Sequence, residues 1–324
     1  GAGAGAGCAG EVQEADIGIP RDLVHQMIWR GPEPVALNPD YMHWVLPRRP
    51  ADGHKGDFGR VFILGGSEGY TGAPILAARG ALRSGAGLVY VGVPREIYPI
   101  TAIKCEEAMA FPLPEEYTAI LEKAAACDVA VIGPGLGRQP RTERLVRSLL
   151  CDLTIPVVLD ADGINALAGH IDVLDSRSAP TVLTPHAGEF ARLTGGSLPV
   201  RDPVAAARGF AKAHRCTLVL KGRTVTAAQE GKVWLCGTGN PGMAKGGSGD
   251  VLAGMIAALL GQKHLNGPGT STAETAALAV WLHGKAGDRC AEQYGEYAML
   301  PSDLIEMLPQ VLKENEERRE QSAL

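Results

Sequence analysis

Six short apolar runs, at residues 61–64, 88–93, 129–132, 157–159, 182–183 and 218–220, constrain this chain more than any other feature. Each is rich in β-branched residues and closed within two residues by Gly, Pro or Asp, and most lead into a segment with helical spacing. Strands that alternate with helices form βαβ units, and such units build a parallel sheet covered on both faces. Residues 224–228 and 233–236, on either side of Glu230-Gly231, predict an antiparallel hairpin near the end. Two strongly apolar helices are expected at 248–260 and about 272–293. A last helix starts near Ser302-Asp303 and is expected to fade into the charged run KENEERREQ. The fold class read from this rhythm is α/β, a mostly parallel central sheet flanked by helices, in a single domain. Residues 1–40 read as a flexible tail and linker, and 313–324 as a charged, solvated tail.

The tail begins GAGAGAGCAG, with no side chain able to build a core, and prolines 20, 32, 34, 39, 47 and 50 interrupt residues 11–50. Gly (42) and Pro (22) together make up about a fifth of the chain, against roughly an eighth in average usage. With 45% hydrophobic and 21% charged residues, that excess marks neither a disordered nor a collagen-like chain. The net charge of −5, without a dense Lys/Arg cluster, argues against a nucleic-acid or membrane-surface partner. No run of about 18 apolar residues offers a membrane span. Seven scattered cysteines without a C-x-x-C pair read as reduced thiols rather than a disulfide framework or zinc site. With no secretory signal in view, the expected location is cytoplasmic. The chain opens on Gly rather than Met, which reads as a fragment or processed product.

In doubly wound sheets ligands sit beyond the carboxyl ends of the strands, and here those ends carry the unusual residues. The first run leads into GGSEGYTGAP (65–74), whose glycines permit close backbone approach before a helix N-terminus. It matches neither a P-loop nor the dinucleotide fingerprint, and an ordinary βα turn explains it equally well. GPGLG (133–137) packs three glycines into five residues, which favours close approach to a ligand. In Asp160-Ala161-Asp162-Gly163-Ile164-Asn165 the polar residues either cap the next helix or order Mg²⁺ or a ribose hydroxyl; both readings stay open. His186 in TPHAGE is read first as a structural hydrogen-bonder and Glu189 as an answer to the helix dipole. Lys221-Gly222 puts a cation where phosphates are expected, or a solvated lysine at a strand end. The strongest signal is GTGNPGMAKGGSGDVL (237–252), six glycines before an apolar helix with Asp250 in its first turn. Converging N–H groups there form a nest suited to phosphoryl oxygens, and a carboxylate beside the transferring group can take the proton of an attacking hydroxyl.

The GGSGD loop resembles the anion-hole signature of the ribokinase-like superfamily. The ordered set HKGDFGRVFILGGSEGYTGAPILAARGALRSGAGLV, VIGPGLG, VVLDADGIN, LTPHAGEFARL, LVLKG and GNPGMAKGGSGDVLAGMIAALLGQ resembles one branch of it, the ADP/ATP-dependent NAD(P)H-hydrate dehydratases, over about residues 40–312. AGEVQEADIGIP (9–20) is similar to the linker that joins an epimerase domain to this one in bifunctional repair enzymes.

The resemblance implies a ribokinase-like fold, with the domain bounds 41–312, and an enzyme that restores NADH and NADPH from the S epimer of their hydrates. ADP, giving AMP, or ATP phosphorylates the hydroxyl; phosphate then departs. Carried over by position, Asp250 is the base, with Gly247 and Gly249 in the anion hole. Ala73, Gly135, His186 and Asp250 would contact the hydrate; Lys221, Gly222, Arg223, Thr224, Asn240 and Gly249 would contact the nucleotide. Mg²⁺ would be held mainly through phosphates. The family also implies a homo-oligomer and a separate or fused epimerase as partner. Three departures stand out: KGRTV is one residue shorter than usual, Gly163-Ile164 replaces Ala-Leu and loosens that helix start, and Lys245 replaces a commoner Thr. The sequence does not decide the role of Lys245; its proximity to the glycine-rich segment alone motivates a phosphate contact as a hypothesis. The alternatives are a superfamily kinase for a hydroxymethylpyrimidine, thiazole or sugar, and a non-catalytic adenine-nucleotide sensor.

Overall fold

The computed structural model describes residues 33–322 except 40, 41, 43, 44, 223 and 267–270. Ten strands form one sheet in the order β1-β10-β9-β8-β7-β6-β5-β2-β3-β4. They are β1 (Val35–Ala36), β2 (Arg60–Leu64), β3 (Leu88–Val93), β4 (Met109–Pro112), β5 (Val129–Ile132), β6 (Val157–Leu159), β7 (Thr181–Leu183), β8 (Thr217–Leu220), β9 (Val225–Ala227) and β10 (Val233–Leu235). All pairings are parallel except β8–β9 and β9–β10, the expected hairpin region.

Alternation along each strand divides the core between two helical layers. On β2, Val61 and Ile63 join one cluster while Phe62 and Leu64 join the other. The first layer comprises α1 (Gly72–Arg83) and three long helices from the C-terminal part of the chain, α9 (Ser248–Gly261), α10 (Thr272–Ala298) and α11 (Pro301–Ser322). A short α2 (Tyr98–Lys104) precedes β4. The second layer comprises α3 (Tyr117–Ala125), α4 (Pro140–Asp152), the short α5 (Asp162–Asn165) and α6 (Asp172–Asp175), α7 (Ala187–Thr194) and α8 (Pro203–Ala213). Helix α9 is buried nearly all round, as its uniformly apolar sequence requires. It lies so close to α1 that a methyl on Gly254 would stand 1.9 Å from the Ala77 carbonyl oxygen.

The structure differs from the sequence reading at both ends. Val35, Leu37 and Met42 are core residues, and β1 pairs with β10, so the segment expected as linker up to residue 40 contributes a strand. The first 32 residues, including the Gly/Ala tail and the 9–20 segment, lie outside the described residues. At the other end the charged run does not fade: α11 continues to Ser322, because Asn315 is buried and Glu314 pairs with Arg289 of α10 at 2.9 Å. Strand β4, with Pro112 and little β-branching, is a second element absent from the sequence reading.

Candidate active site

The parallel strands deliver their C-terminal ends to one edge of the sheet, and the candidate residues collect there. The densest cluster centres on Lys221, just past β8. Its ammonium donates to Asp160 Oδ1 at 2.8 Å and lies 3.9 Å from Glu189 Oε2. Asp160 follows β6, is almost fully buried, and also accepts the Thr184 hydroxyl at 2.7 Å. Burial works against the charge on Lys221, but Asp160, Glu189 and Asp250 outweigh it and hold the ammonium's pKa above its ordinary value. A half-buried lysine hydrogen-bonded to a buried carboxylate is an arrangement in which both charges survive away from bulk water.

The glycine-rich segment closes over this pair. A methyl built on Gly249 would sit 3.0 Å from Lys221 Nζ and 3.6 Å from Asp160 Oδ2, so the first turn of α9 rests directly on the ion pair. That turn has no intrahelical acceptors for its N–H groups, and its positive end faces the carboxyl edge of the sheet. Gly247, the N-cap, adopts φ +106°, and a methyl there would meet Leu76 Cδ1 at 2.6 Å. Gly247→Ala is therefore expected to lower unfolding free energy by about 1–3 kcal/mol, read as a shifted urea midpoint; an unmoved midpoint contradicts this.

Asp250, in the first turn of α9, has its pKa pushed up to about 8. Burial is the main cause, the Asp160 carboxylate adds to it, and Lys221 pulls the other way. Three carboxylates around one ammonium leave an excess of negative charge, which favours retention of a proton on one of them. Asp250 is thus a half-buried carboxyl with a pKa near neutrality in the first turn after a glycine-rich loop, a property suited to a general base.

Two of the predicted hydrate contacts, Ala73 and Gly135, approach each other. A methyl on Gly135 would meet Ala73 Cβ at 3.0 Å, and Leu76, one turn along α1 from Ala73, is the side chain that touches Gly247. His186 caps α7: its Nδ1 accepts from the Gly188 and Glu189 N–H groups at 3.0 and 3.3 Å, while Glu189 accepts the His186 N–H at 2.9 Å. With Nδ1 occupied as an acceptor, the ring carries its proton on Nε2, and just over half the side chain remains exposed. The capping role is present, and the outer face of the ring is open to a ligand. Glu189 bridges the two regions, since it reaches both His186 and Lys221.

The nucleotide set is more dispersed. Gly222 is exposed and Thr224 half-buried, beside Lys221; Arg223 lies outside the described residues. Asn240 is engaged within the protein: its amide donates to Gly287 O at 2.9 Å and Asp288 Oδ1 at 3.3 Å and accepts the Gly242 N–H at 3.0 Å. The proposed phosphate contact of Lys245 is corrected. Its ammonium donates to the carbonyls of Tyr297 and Met299 at 2.7 and 2.6 Å, latching the loop to the end of α10. Both acidic members of the DAD motif are also occupied, since Asp162 accepts the Gly137 N–H at 2.9 Å and the Asn165 amide at 3.3 Å. Among the described residues no three His, Cys, Asp or Glu side chains gather as a metal cage.

Sequence reasoning missed how much α10 does here. Thr238 donates to Trp281 O at 3.1 Å and the Gly239 N–H reaches Asp288 at 3.1 Å. His283, buried in α10, places Nε2 3.0 Å from Ser248 O and 3.4 Å from Ser248 Oγ. Burial pulls the pKa of that imidazole down to about 4; the bond to Ser248 raises it and Lys221 lowers it further.

The sequence profile of NAD(P)H-hydrate dehydratases matches residues 61–310. The chain is 45% identical over 328 residues to the bifunctional NAD(P)H-hydrate repair enzyme of Moorella thermoacetica, covering 98% of this chain and 60% of that protein. It is 38% identical to the Salinibacter ruber enzyme of the same name, covering 94% of this chain and 58% of the relative. It thus spans less than two thirds of these bifunctional proteins. Among solved structures, the ADP/ATP-dependent NAD(P)H-hydrate dehydratase of Bacillus subtilis, co-crystallised with ATP and Mg²⁺, aligns with TM-score 0.74 and 33% identity, over 87% of this chain and 98% of that one. A ribokinase-like superfamily protein from Enterococcus faecalis aligns with TM-score 0.76 and 32% identity, over 87% of this chain and 96% of that one. On a ribokinase-like fold, with its glycine nest and Asp250 at the carboxyl edge of the sheet, the chain belongs to the NAD(P)H-hydrate dehydratase family.

Proposed function

We propose that this chain dehydrates the S epimer of hydrated NADH and NADPH, using ADP, or alternatively ATP, as phosphoryl donor. The observation that carries the reading is Asp250, a carboxyl tuned to about pH 8 in the first turn of a helix that follows a glycine nest. The hydrate's hydroxyl oxygen bonds to the terminal phosphorus while the bond to the nucleotide's bridging oxygen breaks, and Asp250 takes the hydroxyl proton. The N–H groups of Gly249 and its neighbours stabilise the charge on the transferring oxygens. The phosphate then leaves with its C–O electron pair, assisted by the ring nitrogen's lone pair, and loss of a proton from the adjacent carbon restores the double bond.

Ala73, Gly135 and the open face of His186 are the proposed contacts of the hydrate. The nucleotide lies along Lys221, Gly222, Arg223 and Thr224, with Gly249 at its phosphates. Asn240 supports that side by shaping the loop. The engaged Asp160 and Asp162 leave no ready protein cage for a cation, so Mg²⁺ fits as a companion of the nucleotide's phosphates. No helix among the described residues is long and apolar enough to cross a membrane. The described cysteines are free thiols, which supports a cytoplasmic setting. The bifunctional relatives support an epimerase, fused or separate, as partner. Exposed apolar side chains at the end of α10, Tyr297 fully and Leu300 about half, support a homo-oligomer.

The test is turnover of hydrated NADPH with ADP and ATP in parallel. Dehydration regains the absorbance of reduced nicotinamide and releases free phosphate, whereas a small-molecule kinase would leave a stable phosphorylated product. Since the base must be ionised, kcat/KM for the hydrate is expected to rise with pH through a limb near 8 and then level. A profile flat from pH 6 to 9 would rule out Asp250 as the group that controls it.

A further inference from the structure

We propose that His283 is a positioning residue that orients and polarises the Ser248–Gly249 peptide, and so sets the strength of the Gly249 N–H as an anion-hole donor. The inference rests on the phosphoryl-transfer reading above for its functional consequence, and on geometry alone for its physical content.

The Ser248 carbonyl and the Gly249 N–H are opposite ends of one planar trans peptide, so whatever fixes the oxygen fixes the direction of the hydrogen. Helix α9 begins at Ser248, and its regular pattern gives that carbonyl the N–H of Leu252 as first partner. The His283 imidazole, with Nε2 at 3.0 Å, is a second donor to the same oxygen. Two donors on one carbonyl withdraw electron density through the amide, and hydrogen bonds linked in this way strengthen one another. The affected N–H belongs to the residue that lies on Lys221 and immediately precedes Asp250.

The ring is well placed to hold this geometry. It is buried on α10, whose Gly284 and Gly287 pack directly against Thr238 and Met243 of the loop. The other α10 bonds, to Thr238, Gly239 and Asn240, secure the loop's entry; His283 reaches its exit. Burial keeps the imidazole neutral through the physiological range, so Nε2 donates without adding a charge to the site.

The experiment compares full-length wild type, His283→Leu and His283→Gln, the last retaining an N–H able to reach Ser248 O. In His283→Leu, kcat is expected to fall about 10-fold, less than the 10²–10³ lost when a whole oxyanion donor is deleted, with KM for ADP within about twofold. The Gly249 amide proton, observed in glycine-labelled protein, should move upfield. His283→Gln should recover most of kcat and of that shift. Unchanged kcat and amide shift in His283→Leu overturn the proposal. So does equal impairment of the Leu and Gln variants, which would mean packing alone. If the Leu variant does not fold, His283→Asn, too short to reach the carbonyl, serves as the non-donor. Wild type inactive on hydrates with both nucleotides would defeat the proposed function, and the Gly249 shift would still decide the role of His283.

Discussion

Asp250→Asn is expected to lower kcat for hydrate turnover by about 10²–10⁴ while raising stability at pH 8. The activity loss follows from removal of the proton acceptor, and its size is that of one well-placed general base. The stability gain follows from linkage. The folded carboxyl keeps its proton up to about pH 8, against 3.8 for an unperturbed aspartate. Between those values the folded state binds more protons than the unfolded one, so wild-type stability declines as pH rises through that window. Asparagine has no charge to bury and escapes the decline. Melting curves at pH 5 and pH 8 should therefore show a small gap between wild type and variant at the lower pH and a larger one at the higher, with the variant above. Retained turnover would remove Asp250 from the chemistry. A variant that melts below wild type at pH 8 would show that its carboxylate is better solvated or better paired than the structure implies.

The Lys221–Asp160 pair predicts the largest stability effect. Lys221→Met leaves the Asp160 carboxylate, whose side chain is 2% exposed, with the Thr184 hydroxyl as its remaining side-chain partner among the described residues. Breaking a buried pair by removal of one member typically costs about 3–5 kcal/mol, because the surviving charge stays desolvated. The double variant Lys221→Met with Asp160→Asn removes both charges and should regain much of that loss, giving a large coupling energy in a double-mutant cycle. Urea denaturation measures all four proteins. A single variant within about 0.5 kcal/mol of wild type would place the pair in the class of solvated surface bridges. Because Asp250 feels both partners, the same variants should also move the pH limb of activity. Lys221→Met raises it by removing a favourable cation, and Asp160→Asn lowers it by removing a repelling anion.

Several strands could be read to the residue from sequence. Those at 88–93, 129–132 and 157–159 stand where the apolar runs stand, because a buried parallel strand is little more than such a run. Strand β1 could not, since two residues near Pro34 become a strand only when β10 arrives beside them. The glycine-rich segment and the place of Asp250 in the helix it opens were legible because both lie in one continuous stretch. The ion pair beneath them was not, as its members are 61 residues apart and each has an ordinary local explanation. Lys245 misled for the converse reason. Closeness in sequence to the nest suggested phosphate, but a long flexible side chain found carbonyls 52 and 54 residues further on. His283, a lone histidine in an apolar helix, carried no signal until its ring was seen against Ser248.

Helix α9 is buried from Val251 to Gly261 and locked against α1 where Gly254 meets Ala77. A helix held in this way cannot shift along its axis without opening the core on both faces, because close-packed interiors deform in discrete steps rather than continuously. On the proposed function, the helix end that would receive phosphate is therefore a fixed anvil. If hydrate and phosphoryl donor meet there, as proposed, the motion that joins them falls to the loops that approach it, such as the one that carries the exposed Tyr70, and not to that surface.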